Sequence, residues 1–248
     1  MSFQADPGVV LVDKLSGRTS FSVVRSVRKI FGVKKVGHAG TLDPFASGLL
    51  VVCIGRPATR LIETLMEGKK TYKATVVLGK ISTTQDPEGE ISEGGPVSDI
   101  GRDAIEVVLK GFRGTIMQTP PYFSALKHKG KPLYHYARKG IAITKEPREV
   151  TIYELEMTGL GLASDGGTSL VELRINCSKG TYIRSLAEDI GNALGCGAYL
   201  SALRRTRSGC FTVAESIPGD ILDDPDRVQW VRQQRIDMEQ LQNLLQSC

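Results

Sequence analysis

Residues 37 to 48, Gly37-His38-Ala39-Gly40-Thr41-Leu42-Asp43-Pro44-Phe45-Ala46-Ser47-Gly48, constrain this chain more than any other stretch. They stand between a basic helical pattern and the apolar run Leu49-Leu50-Val51-Val52-Cys53-Ile54. Such a run reads as a buried strand. Gly37, Gly40 and Gly48 permit positive φ or a close approach of backbone. Pro44 fixes its own φ and pushes Asp43 toward extended geometry, which holds this acid off a helix. A stiff, glycine-flanked loop ahead of a buried strand suits a single presented acid. The same Asp-Pro pair also suits an ordinary turn, and spacing alone leaves both readings open.

The chain around it has the composition of a soluble globular protein, with 41% hydrophobic and 24% charged residues. At 248 residues it is long enough for one large domain or two modest ones. No apolar run approaches membrane-spanning length, and no basic N-terminal region precedes an apolar stretch, so the expected location is the cytoplasm. Cysteines 53, 177, 196, 210 and 248 form no Cys-x-x-Cys pair and have no histidine cluster nearby. They read as reduced core thiols rather than metal ligands or disulfides.

The net charge of +5 is unevenly spread. Residues 16 to 37 hold Arg18, Arg25, Arg28, Lys29, Lys34 and Lys35 and no acid. Residues 124 to 149 hold Lys127, Lys129, Lys131, Arg138, Lys139, Lys145 and Arg148 against Glu146 and Glu149. Clusters of this kind mark either a polyanion partner or solvated faces. From Glu215 onward acids predominate, which offsets part of the excess.

Periodicity supplies the elements. Gly8 to Val12 reads as a buried strand. Ser20 is the expected N-cap of a helix carrying Val23, Val24, Val27, Ile30 and Phe31, with Gly32 at its C-terminus. Pro57 starts a second helix with Leu61, Ile62, Leu65 and Met66 on one face. Residues 71 to 78 alternate as a strand, 80 to 97 read as loop, and Ile105 to Phe112 as helix. Residues 113 to 149 are basic, aromatic and turn-rich, with a short helical pattern near Leu133 to Lys139. Val150 to Met157 and Ser169 to Cys177 read as strands joined through the glycines at 159, 161, 166 and 167. Ile183 to Leu194 is a helix ending at Gly195. The last 34 residues place Asp224 and Pro225 at the start of a helix with Val228, Val231, Met238, Leu241 and Leu245 as its stripe.

Five segments together resemble one family, in its order: Gly8 to Lys14, Gly37 to Gly48, Lys70 to Ala74, Pro120 to Lys127 and Cys177 to Leu186. They are similar to the TruB-type tRNA pseudouridine synthases and span roughly residues 8 to 213. The resemblance implies an α/β (α+β) pseudouridine-synthase fold: a long mixed, largely antiparallel sheet, flanking helices and a basic RNA-gripping insertion at about 113–149. It implies a catalytic domain over 1–214 and a short acidic helical tail over 215–248, in place of the small C-terminal RNA-binding module of many members. Leu15 departs from the usual proline.

The implied reaction converts uridine 55 of the tRNA T-loop to pseudouridine. It makes no redox change and no net hydrolysis, so no cofactor and no metal are expected. By resemblance Asp43 is the catalytic carboxylate, acting on ribose or uracil by a route sequence leaves open. Arg184 is its charge partner and Tyr72 stacks on the target base. Tyr182 and Leu203 line the uridine pocket, and His38 contacts the flipped loop. Lys14, Lys127, Lys129 and Lys131 complete the expected substrate-binding set. The partner expected is the T-arm of tRNA, met by a monomer without guide RNA and away from membranes. Two alternatives remain: a guide-RNA-dependent synthase acting on ribosomal RNA, and a tRNA-folding chaperone with incidental catalysis.

Overall fold

A computed structural model describes residues 6–98, 100–162 and 169–247. The chain is of mixed α/β class with a large mixed sheet, and it forms two compact units. Unit 1 holds residues 1–71 and 204–248, and unit 2 holds residues 72–203.

Unit 1 begins with β1 (Gly8–Lys14), α1 (Ser20–Phe31), β2 (Val36–Ala39) and β3 (Ser47–Ile54). β1 and β3 run antiparallel, with Val12 opposite Leu50, and β2 pairs antiparallel with the far end of β3. Both strands are apolar without alternation because both faces are covered. Val10, Val12, Leu50 and Val52 pack with Val23, Val27 and Ile30 of α1, whereas Val9, Leu11, Leu49 and Val51 pack with Leu65, Phe211 and Leu241. Each such burial contributes about 1.5–3 kcal/mol. The cap of α1 is Thr19, whose Oγ1 accepts from Ser22 N at 3.0 Å, not Ser20 as expected. Gly32 closes the helix at φ +65°. The helix expected from Pro57 is two short ones, α2 (Gly55–Thr59) and α3 (Ile62–Glu67). Leu65 is buried and Met66 exposed, so the expected four-residue face is not a single buried stripe.

The chain passes into unit 2 along β4 (Lys70–Leu78), where Tyr72, Ala74, Val76 and Leu78 are buried. The stretch read as loop contains a small hairpin, β5 (Lys80–Ser82) with β6 (Ile91–Glu93), around a turn at 83–90. α4 (Arg102–Gly111) buries Ile105 and Leu109, and β7 (Gly114–Gln118) follows. The basic excursion then forms β8 (Lys127–His128), β9 (Lys131–Pro132) and α5 (Leu133–Ala137). β10 (Arg148–Leu162) pairs with β11 (Ser169–Cys177) and continues past Met157, taking Gly159 and Gly161 into the ladder. The strand therefore runs on past the point where its alternation ends in the sequence, and a Cβ on residue 159 would stand 2.6 Å from Glu172 Oε2, the movable end of a side chain. Gly166 and Gly167 lie outside the described residues. α6 (Ile183–Ala193) and β12 (Ala198–Ser208) complete the unit, whose strands are ordered β12-β4-β11-β10-β7.

From Arg204 the end of β12 belongs to unit 1, pairing in parallel with the start of β3. β13 (Phe211–Thr212) folds back on it, and β14 (Ile217–Pro218) joins β1 in parallel. Asp224 caps only a 3₁₀ turn, and the expected terminal helix is broken. α7 (Val228–Gln233) and α8 (Met238–Gln246) are separated by β15 (Ile236–Asp237), which pairs with β1. Asp237 starts α8 through a capping box with Gln240, a signal hidden inside the apolar spacing. Cys53, Cys177 and Cys196 are buried thiols outside any disulfide, as expected, but Cys210 is disulfide-bonded, which corrects the reading of reduced thiols throughout. Cys210 is one residue before β13, outside the apolar runs that hold the other three.

Candidate active site

Asp43 lies partly buried in the turn between β2 and β3. Leu42 before it and Ala46 after it are buried at 3% and 0% exposure. Polar side chains hold much of the backbone around it. Ser20 Oγ accepts from Leu42 N and donates to Leu42 O, both at 2.9 Å. On the other side of Asp43, Lys14 Nζ donates to Pro44 O at 3.1 Å, and Gly17 N donates to the same oxygen at 2.8 Å. Ser16 Oγ donates to Phe45 O at 2.7 Å. Arg205, 2% exposed, donates from Nε to Leu49 O and from a terminal nitrogen to Gly40 O at 2.8 and 3.0 Å. Gly48 has φ +100°, and a Cβ there would stand 2.3 Å from Arg205 O. The turn thus closes on the β12 backbone only with glycine at this position.

Two more expected residues, Lys14 and His38, belong to unit 1. Lys14 is fully buried and also donates to Leu15 O and Arg18 O, so it supports the turn from inside the unit. His38 stands on β2 opposite Val52. Its Nδ1 is buried without a hydrogen-bond partner, and burial, with the Arg205 guanidinium second, pushes its pKa below the usual value. His38 is therefore neutral near pH 7, presenting an apolar ring with an open polar atom. Beside Lys14, Asp13 accepts a two-pronged pair from Arg204 at 2.9 and 2.6 Å.

The other expected residues belong to unit 2. Tyr72 on β4 and Leu203 on β12 are buried at 9% and 8% exposure. Tyr182 precedes α6 and is clamped by Gln118, which accepts from Tyr182 N at 2.8 Å and donates to Tyr182 O at 3.0 Å. The Arg148 guanidinium lies 5.0 Å from the centre of its ring. Arg184, 4% exposed, donates to Thr84 O, Asp86 Oδ2 and Phe123 O at 2.9, 3.1 and 2.7 Å. Asp86, itself held by Thr84 Oγ1 and Glu88 N, supplies this buried charge with one carboxylate partner. Gln85 adopts φ +66° and ties this loop to α6 through Glu188. Lys127, Lys129 and Lys131 are exposed on the β8–β9 hairpin, whose tip is Lys129-Gly130 with both φ positive.

Sequence reasoning missed Ser20 and Arg205, which hold the turn around Asp43 in unit 1, and Asp86 and Gln118, which hold Arg184 and Tyr182 in unit 2. Asp86-Pro87 repeats the Asp43-Pro44 dipeptide, a signal that was available. The others are polar residues in strand or helix patterns and carry no local mark. Among the described residues no helix is long and apolar enough to cross a membrane, and no group of three His, Cys, Asp or Glu could hold a metal.

The chain matches the TruB family pseudouridylate synthase (N terminal domain) over residues 28–183 and the tRNA pseudouridylate synthase B C-terminal domain over residues 184–248. The tRNA pseudouridine synthase B of Desulfotalea psychrophila is 56% identical over 210 residues, 85% of each chain. That of Azoarcus sp. (strain BH72) is 50% identical over 216 residues, covering 87% of this chain and 69% of its own. That of Chlamydia pneumoniae is 45% identical over 233 residues, 91% and 93% of the two chains. Among solved structures, a Cbf5-Nop10-Gar1 complex aligns with TM-score 0.68 and 33% identity over 94% of this chain and 60% of that one. The archaeal box H/ACA sRNP Nop10-Cbf5 complex aligns with TM-score 0.67 and 29% identity, over 96% and 61%. The chain belongs to the TruB family of pseudouridylate synthases, which are isomerases.

Proposed function

We propose that this TruB-family chain converts uridine 55 in the T-loop of tRNA to pseudouridine, with Asp43 as the catalytic carboxylate acting on a flipped-out uridine. The observation that carries this reading is the clamping of both neighbours of Asp43, Leu42 by Ser20 and Pro44 by Lys14. A carboxylate that attacks ribose or uracil, or removes a ribose proton, must be held in its reactive position before substrate arrives. Hydrogen bonds to the flanking carbonyls and amide fix the backbone from which the carboxylate projects.

In the reaction the C1′–N1 bond breaks, the C1′–C5 bond forms, C5 loses a proton and N1 gains one. Arg184 supplies the guanidinium that keeps Asp43 ionised where water is excluded. Asp86 supports this role by orienting Arg184. Tyr72 stacks on the base, Tyr182 and Leu203 line its pocket, and His38 meets the displaced loop. Extruding the uridine costs roughly a few kcal/mol, and Lys127, Lys129 and Lys131 offset it by binding phosphates. The chain works as a monomer, with no guide RNA.

A second reading, synthesis directed by guide RNA, is favoured by the likeness to the Cbf5 complexes. One experiment separates the two. The purified chain is incubated with an unmodified tRNA transcript alone and pseudouridine is mapped. Product at position 55 supports the first reading; product only when guide RNA and partner proteins are added supports the second.

A further inference from the structure

The basic cluster of residues 16 to 37 has little part in the machinery described above. On α1 the buried stripe takes Val23, Val24, Val27 and Ile30, which leaves Phe21, Arg25 and Lys29 exposed at i, i+4 and i+8. Residues at that spacing share one helix face, about 6 Å apart along the axis. Phe21 is 58% exposed, and the Arg25 guanidinium lies 5.6 Å from its ring centre. Lys34 and Lys35, both exposed, follow just beyond Gly32.

This face differs from a merely solvated one in its local excess of cations and in the exposed ring that stands among them. Three exposed arginines elsewhere pair with acids, Arg113 with Glu106, Arg174 with Glu154 and Glu156, and Arg227 with Asp224, whereas Arg56, Arg60, Arg102, Arg138 and Arg207 are exposed and form no ion pair among the described residues. Arg25, Lys29, Lys34 and Lys35 form no ion pair among the described residues, and the segment contains no acid of its own. The favourable position of a cation at a helix C-terminus accounts for Lys29 but not for Arg25 or for the lysines past the helix end. An exposed aromatic ring among unpaired cations combines a stacking platform with phosphate-binding charge, which is the chemistry of RNA binding. The face starts one residue from Ser20, the side chain that holds Leu42 beside Asp43.

We propose that the outer face of α1, Phe21, Arg25 and Lys29 with Lys34 and Lys35, is an RNA-docking surface of unit 1, additional to the β8–β9 lysines. The cations take the phosphates, and Phe21 stacks on an unpaired base or a terminal ribose. The proposal rests on RNA being the substrate but not on where or whether it is modified.

The test uses the full chain and an unmodified tRNA transcript, with affinity measured across a range of salt. The variant Arg25→Gln/Lys29→Gln/Lys34→Gln/Lys35→Gln is expected to lower the slope of log affinity against log salt by about 0.7–0.9 for each phosphate no longer neutralised. Phe21→Leu is expected to weaken binding about tenfold with the slope unchanged, as for removal of one stacking platform. Both should keep the wild-type thermal midpoint, because every substituted side chain is exposed. Wild-type affinity and slope in the quadruple variant would overturn the proposal and leave α1 a solvated face. Since binding is read without turnover, a chain that binds tRNA through this face yet makes no pseudouridine refutes the proposed activity and not the surface.

Discussion

A single hydroxyl, Ser20 Oγ, satisfies both backbone groups of Leu42 at 2.9 Å each, and Leu42 is the residue before Asp43. Ser20 is itself buried, in the first turn of α1, so the start of a helix sets the position of the candidate carboxylate. Replacing it by alanine leaves a buried donor and a buried acceptor unpaired, at about 1–3 kcal/mol each. Ser20→Ala is expected to lower the thermal midpoint and to reduce kcat at least about tenfold. KM for tRNA should change little. A KM increase at unchanged kcat would show that Ser20 acts on binding rather than on the carboxylate.

Arg184 and Asp86 form a pair in which both side chains are 4% exposed. Removing one member of a buried pair deprives the other of a buried counter-charge, at a cost of up to about 3–5 kcal/mol. Asp86→Asn and Arg184→Met should each destabilise the chain by amounts of that order, measured by denaturant unfolding. The double variant should cost clearly less than the sum. Additive losses would mean that the two charges do not act as a unit.

How much of the fold and the site is legible in the sequence follows from where the signal lies. The turn around Asp43 announces itself because glycine, proline and an apolar run are local. α1, α6 and β11 do so because their periodicities are clean. Asp86 is different: it sits in a stretch of acids, glycine and proline that reads as loop, and only the fold brings it to Arg184, 98 positions away. Arg205 looks like one cation in a basic strand, yet its guanidinium binds carbonyls 156 and 165 positions away. The terminal segment reads as one helix because Val231 and Leu241 fit one stripe, whereas each enters a different core cluster. Ser20 and Thr19 are both good caps, and sequence alone does not choose between them.

The glycines offer a graded comparison. Gly48 (φ +100°) abuts the Arg205 backbone, whereas a Cβ added at Gly17 (φ +83°) would meet nothing within 4 Å. Gly17→Ala should therefore cost only the backbone strain, on the order of 1 kcal/mol. Gly48→Ala adds a clash with main chain that cannot move aside, so its loss of stability should be larger and its activity should fall with it. Equal thermal midpoints for the two variants would contradict the close packing of β3 on β12.

His38 supplies a pH signature. Its folded pKa lies below the ordinary histidine value of 6.5, through burial first and Arg205 second. The unfolded chain therefore binds the proton more readily, and the folded state loses stability as pH falls through and below about 6.5. Above that pH the group contributes no slope. His38→Gln should flatten the stability profile just below pH 6.5 relative to wild type and leave its slope unchanged at pH 8. Parallel profiles for the two proteins across this window would show that His38 titrates normally.

Asp43 performs the chemistry in the mechanism proposed, and one measurement tests this directly. Single-turnover formation of pseudouridine at position 55 of an unmodified tRNA transcript is followed for the wild-type chain and for Asp43→Asn, with tRNA affinity measured in parallel. A modification rate at least about a thousandfold lower in the variant, at near wild-type affinity, is the expected result. Appreciable pseudouridine made by purified Asp43→Asn would contradict the assignment.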